Sequence, residues 1–151
     1  VAVDAETAKV EVIRYVGVED VGRAINPLLV DGQAIGGTVQ GLGGALLEEF
    51  VYDAAGQLLT GTLADYLLPS SCDFPSVEAI TLEEAPSKLN PLGVKGAGEG
   101  ATGAVGAAIA NAVAAALAPL RVTITEVPLS PNNLARQLRA ARLKHSADST
   151  D

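Results

Sequence analysis

Methionine and tryptophan are absent from this 151-residue chain, and three tyrosines and two phenylalanines are its only aromatic residues. Ala, Val, Leu and Gly must therefore supply the core, and such small residues let backbones approach closely. With no methionine at its start, the chain is expected to be a piece of a longer polypeptide. Positive charge is also scarce. Ten Lys and Arg stand against eighteen Asp and Glu, a formal net charge of −8. That argues against nucleic acid or an anionic membrane as partner, since both need clustered cations. The one basic cluster, Arg136 to Lys144, reads as the solvated end of a terminal helix.

The single cysteine, Cys72, excludes an internal disulfide and suits a reducing cytoplasm, the expected location. It lacks a cationic neighbour and reads as a spectator. The only histidine, His145, lies in a polar tail far from Cys72, so no metal site made of protein side chains is expected. No charged-then-apolar leader opens the sequence. The uncharged span from Gly100 to Leu120 approaches membrane length, but it is mostly Ala and Gly and reads as a buried soluble helix.

What is present suffices for one domain, because 48% of the residues are apolar at a length that can bury a core. "VEVIRYVGV" (10–18) alternates and reads as a strand, with a shorter strand and turn before it. "GRAINP" (22–27) breaks the pattern ahead of a first helix, expected over 32–50. At 100° per residue, Ile35, Val39, Leu42, Leu46 and Phe50 form an apolar stripe, expected to face the core. Opposite lie Gln33, Gly37, Gln40 and Gly44, with Gly41 beside them. A helical glycine costs about 1 kcal/mol relative to Ala. Such a face serves either close packing on another backbone or a groove for a planar ligand, and both readings stand at this point.

Strands are expected over 58–68 and 77–84, followed by a long irregular connection over 85–98 of the kind that often carries function. An Ala-rich helix over 101–118, stopped by Pro119, is expected to be covered on more than one side. A last strand is expected at 121–127. Ser130 and Pro131 then provide a helix cap and first turn, with Leu129 and Leu134 spaced to clasp it. That helix should run to Arg142, leaving 145–151 as a disordered tail. The order β-β-α-β-β-α-β-α predicts an α+β domain with a mostly antiparallel sheet.

Chemistry concentrates in "GVKGAGEG" (93–100), where Glu99 stands among glycines at the mouth of the Ala-rich helix. "GAGEGA" imitates a dinucleotide-binding fingerprint, but Pro91 breaks the approach and the next acid, Glu126, is too far along. Glu99 would also repel a pyrophosphate at that helix end. A carboxylate poised between helix dipoles, which favour its charge, and burial, which opposes it, can act as a proton acceptor. Flanking glycines leave room for a bulky reactant and free backbone N–H groups to bind it. A metal or electrophile would then have to arrive with a cofactor. The plain alternative is a first-turn glutamate that only complements the dipole.

"LLVDGQAIGGTVQGLGGALLEE" (28–49) and "NPLGVKGAGEGATGAVGAAIANAVAAAL" (90–117) together resemble the molybdenum hydroxylases, the xanthine dehydrogenase, aldehyde oxidase and aerobic carbon monoxide dehydrogenase family. "GRAINP" (22–27) and "TEVPLSPNNL" (125–134) look like flanking segments of the same family, so the resemblance spans nearly the whole chain. It implies that residues 1–144 are the C-terminal portion of a molybdopterin-binding subunit. By that resemblance Glu99 is the base beside molybdenum, taking up a proton while an electron-poor C–H carbon is oxygenated. Gln33 matches a glutamine that hydrogen-bonds the pterin, which favours the groove reading of its helix face. Gly98 would approach the metal's ligands, and Lys95 is a further cofactor-contact candidate. The implied cofactor is molybdopterin with Mo, in some branches as the cytosine dinucleotide. Iron–sulfur and FAD partner chains would carry the electrons away. Cys72 stands in no motif matching the copper-binding cysteine of the carbon monoxide branch. The family's subunit is several times longer, so an isolated chain of this length should be inactive. The rival from another class is a non-catalytic structural or interaction domain of the same fold.

Overall fold

The structure, a computed structural model, describes residues 1–148, with side chains described to residue 145. Strands β1 (Ala2–Asp4) and β2 (Lys9–Glu11) pair antiparallel as an opening hairpin, but the single strand expected over 10–18 breaks after Glu11 and resumes at Tyr15 in a second sheet. Strand β3 (Tyr15–Asp20) leads into helix α1 (Pro27–Leu46), and β4 (Val77–Leu82) follows. Next come α2 (Gly100–Gly103), α3 (Val105–Ala116), a 3₁₀ turn at Ala118–Leu120 and α4 (Pro131–Asp148).

The class is α+β, but the sheet differs from expectation. β3 and β4 pair in parallel, from Tyr15 opposite Val77 to Asp20 opposite Leu82. A connection that carries a whole helix permits parallel pairing, and α1 is that helix. Both strands thus end on the same side of the molecule.

Two expected strands are absent among the described residues. Over 58–68 the chain makes only an isolated bridge, Tyr52 to Leu58, and then turns at Thr62–Tyr66. Over 121–127 the alternation holds, with Val122 buried and Ile124 packed against the core. Its polar partner, however, is α4. Thr125 N–H donates to Gln137 Oε1 (3.0 Å), and Gln137 Nε2 donates to the Glu126 carbonyl (3.3 Å). A side-chain amide has replaced the neighbouring strand.

Helix α1 begins earlier than the apolar stripe suggested. The Asn26 side chain accepts from Leu29 N–H (3.2 Å) and Pro27 fills the first turn, a start signal written in "INP". Leu42 and Leu46 are buried as expected, whereas Ile35 is 42% and Phe50 63% exposed. Ala34, Thr38 and Ala45 are buried on α1 instead. The glycine face closes on a neighbour. Gly37 and Gly41 meet Thr102 and Val105, so close packing accounts for them, while Gln40 and Gly44 are exposed.

The core joins Leu42, Ala45 and Leu46 to Val105, Ile109 and Val113 of α3, with Leu129, Leu134 and Leu138 completing it. Leu129 and Leu134 are both buried around the Ser130 cap, as their spacing predicted. The Ala-rich segment breaks at Ala104 into α2 and α3. Ala107, Ala108, Asn111 and Ala115 are exposed, so within this chain α3 is covered on one face only. Helix α4 continues to Asp148, into the segment expected as a disordered tail; the rest of that expectation, 149–151, lies outside the described residues. No helix among the described residues is long and apolar enough to cross a membrane.

Candidate functional site

The loop carrying Glu99 lies where β3 and β4 end, because its residues are tied to both. Lys95 N–H donates to the Val21 carbonyl (2.9 Å) just beyond β3. Val21 N–H donates in turn to the Leu82 carbonyl (3.0 Å), joining the two strand ends. Gly22 has a φ of +71°, and a Cβ there would collide with the Gly93 carbonyl oxygen. Glycine at 22 therefore lets the post-β3 turn and the 93–99 loop touch backbone to backbone.

Helix α1 holds the loop from the other side, at two points one turn apart. Gln33 Nε2 donates to the Gly98 carbonyl (3.4 Å). Thr102 Oγ1 donates to the Gly37 carbonyl (3.0 Å). These tethers fall on either side of Glu99. The expected Gln33, Gly98 and Glu99 are thus brought together, and Gly37 belongs to the frame that does it.

Glu99 itself caps α2 through its main chain, its carbonyl accepting from Thr102 N–H (3.1 Å), while its side chain makes no capping bond and is exposed. The expected balance of burial against helix dipole is not what this chain provides. The helix after Glu99 breaks after four residues and the carboxylate is open. What the fold supplies is position.

Lys95 Nζ sits 3.0 Å from Asp20 Oδ1. Asp20 also accepts from Gly22 N–H (2.8 Å) and, through Oδ2, from Glu84 and Ala85 N–H (2.9 Å each). The Gly22 N–H and then the Lys95 ammonium hold its carboxyl down at about 2, below the ordinary 3.8. Sequence reasoning passed over Asp20, although Asp two residues before Gly in "EDVG" is a turn signature that could have flagged it. It also passed over Glu19. Glu19 Oε1 is buried without a hydrogen-bond partner, and Oε2 lies 2.7 Å from where a Cβ on Gly100 would stand. Glu19 borders a cavity of about 250 Å³ between β3, α1 and α2 that Val18, Thr38 and Ala101 also line.

No group of three or more His, Cys, Asp or Glu among the described residues could hold a metal ion. The side chains and main chain at the loop are hydrogen-bonding groups: an amide at 33, an ammonium at 95, a carboxylate at 99, and glycine backbone between. Nothing lies within 4 Å of where a Cβ on Gly96 would be, and at Gly98 one would meet only Gln33 Nε2, at 3.6 Å. Such an open, polar edge fits a flat heterocyclic cofactor that brings its own metal.

The family model for the molybdopterin cofactor-binding domain matches residues 1–75. A 6-hydroxypseudooxynicotine dehydrogenase complex subunit gamma from Paenarthrobacter nicotinovorans is 42% identical over 134 residues, 89% of this chain and 17% of that protein. The chain belongs to the molybdopterin-binding large subunits of the molybdenum hydroxylases. The xanthine dehydrogenase molybdenum-binding subunit of Escherichia coli O157:H7 is 37% identical over 142 residues, covering 93% of this chain and 18% of that subunit. The crystal structure of quinoline 2-oxidoreductase from Pseudomonas putida 86 superposes with a TM-score of 0.85 at 45% identity, over 91% of this chain and 17% of that one. The chain therefore spans about a sixth of the length of these large subunits. The likeness to molybdenum hydroxylases runs through the Glu99 loop as well as the part that the family model matches, since the aligned share exceeds it.

Proposed function

We propose that this chain supplies the base and part of the pterin contact in a molybdenum-dependent oxidoreductase. The observation that carries the reading is the Glu99 carboxylate, exposed on a glycine loop and held between two tethers to α1. Glu99 acts as general base, a carboxylate oxygen taking up the proton released as the substrate is oxygenated. Gln33 presents its amide, Gly98 its main chain, and Lys95 its ammonium along the cofactor edge. Bound there, molybdopterin with Mo, in some branches of the family as its cytosine dinucleotide, would supply the redox chemistry. Substrates are small and electron-poor, an N-heterocycle or aldehyde, with CO as the special case of one branch. Other segments of the subunit complete the site, and iron–sulfur and FAD chains of a cytoplasmic complex accept the electrons.

The experiment is Glu99→Gln in the assembled enzyme, read as turnover per bound molybdenum beside thermal stability. The amide keeps size and most hydrogen bonding but is no base. Turnover should fall by roughly 10²–10⁴, the usual worth of general-base catalysis, with molybdenum content unchanged. A variant turning over at the wild-type rate would overturn the assignment. An assembled complex that folds without molybdenum would favour the non-catalytic domain.

A further inference from the structure

Within the 93–99 loop Gly96 has nothing within 4 Å of where a Cβ would stand, and at Gly98 one would meet only Gln33 Nε2, so the backbone next to Glu99 does little to hold it in place. Something outside the loop must do so, and α1 reaches it only from Gly98 onward. Upstream, Asn90 exchanges two bonds with Val94 (3.0 and 3.1 Å), and the side-chain attachment to the strand ends is Lys95, four residues before Glu99. Its main chain is bonded to Val21 and its ammonium to Asp20. Asp20 is the common point. One carboxylate accepts from the turn after β3 (Gly22), from the segment just past β4 (Glu84 and Ala85) and from the loop (Lys95). The ion pair is partly screened from water, with 22% of the Asp20 side chain and 35% of the Lys95 side chain exposed. A charge-assisted bond in such a setting is stronger than a fully exposed surface pair.

From this junction we infer that Asp20 is a positioning residue: through Lys95 it fixes the Glu99 loop to the ends of the two parallel strands. The inference rests on the proposed role of Glu99 for its consequence in turnover, and not for the clamp itself. Lys95 thereby has an anchoring task through its Asp20 pair, beside the cofactor contact proposed for it. Both Asp20 oxygens are bonded within the protein, so its role is exerted through the loop.

The clamp is tested without cofactor by amide hydrogen exchange of the peptide covering 93–100, in the complete large subunit carrying this chain. Asp20→Asn and Lys95→Met should each speed exchange about tenfold or more, the factor for losing one charge-assisted bond. The double variant should exchange no faster than the faster single one, because both remove the same link. Lys95→Arg, whose cation can still reach Asp20, should stay slow. In the loaded enzyme Asp20→Asn should lower kcat about tenfold with KM and molybdenum content unchanged. Unchanged exchange in both single variants overturns the inference. So does Asp20→Asn melting at lower temperature with wild-type kcat and exchange, which would make Asp20 a backbone cap only. If Asp20→Asn fails to fold, Lys95→Met breaks the same pair from the other side, and its exchange rate then decides for or against the clamp. Glu99→Gln measured alongside separates the two claims, since an active Glu99→Gln defeats the base while the exchange data still judge the clamp.

Discussion

Two alanine substitutions on α1 isolate how hard this helix is pressed onto the Ala-rich segment. Gly36 and Gly41 both sit inside the helix, so replacing either with Ala gains the same intrinsic preference, about 0.8–1 kcal/mol. Their surroundings differ. A Cβ on Gly36 has nothing within 4 Å, whereas one on Gly41 would stand 2.6 Å from Val105 Cβ and 3.1 Å from the Thr102 carbonyl oxygen. Val105 is fully buried and β-branched, so it has neither room nor a second rotamer with which to retreat. Forcing one methyl into a packed core costs roughly 1–3 kcal/mol. Gly36→Ala should therefore stabilise by about 1 kcal/mol, while Gly41→Ala should come out between neutral and ~2 kcal/mol destabilised. Because the helix preference is common to both, the gap of ~1–3 kcal/mol measures the contact alone. Urea unfolding followed by circular dichroism reads it as an upward midpoint shift for Gly36→Ala and an unchanged or lower midpoint for Gly41→Ala, at equal slope. Equal upward shifts for both would refute the close approach of α1 and α3.

Leu42 is completely buried where α1 meets α3, so Leu42→Ala should destabilise by roughly 2–5 kcal/mol in the same assay. Acid should act through Asp20. Its carboxyl titrates lower in the folded chain, at about 2, than its ordinary 3.8, so its stabilising share is complete above the ordinary value. That share is lost as pH falls from there through about 2, and Asp20→Asn should flatten the stability profile in this window. A profile as steep in the variant as in the wild type would contradict the bonds assigned to Asp20.

Much of the local structure was legible because its causes are local. The Ser130 cap with its Leu129 and Leu134 clasp, the opening hairpin, and the inward side of Val122 and Ile124 follow from spacing within a few residues. Pairing was not legible, because a strand's partner is set by what lies beside it in space. The 121–127 segment alternates like a strand and yet meets the Gln137 amide, and β3 meets β4 in parallel across a helix that periodicity cannot orient. The α1 stripe was read by apolarity, whereas the buried face joins Leu42 and Leu46 to small residues, Gly37 among them, that can come close to α2 and α3.

The same division holds at the site. By itself the sequence determined that Glu99 stands among glycines, that Gln33 lies far before it, and that both blocks have the form of a molybdopterin-binding subunit. Those are statements about residue type and order, and chain chemistry suffices for them. Only the tertiary structure decided that Gln33 reaches Gly98, that Thr102 grips Gly37, and that Asp20 gathers Gly22, Glu84, Ala85 and Lys95. Each of these bonds except Asp20 to Gly22 joins residues more than sixty positions apart. No local pattern encodes such a meeting, because hydrogen-bond energy depends on a few tenths of an ångström that only the packed core can set.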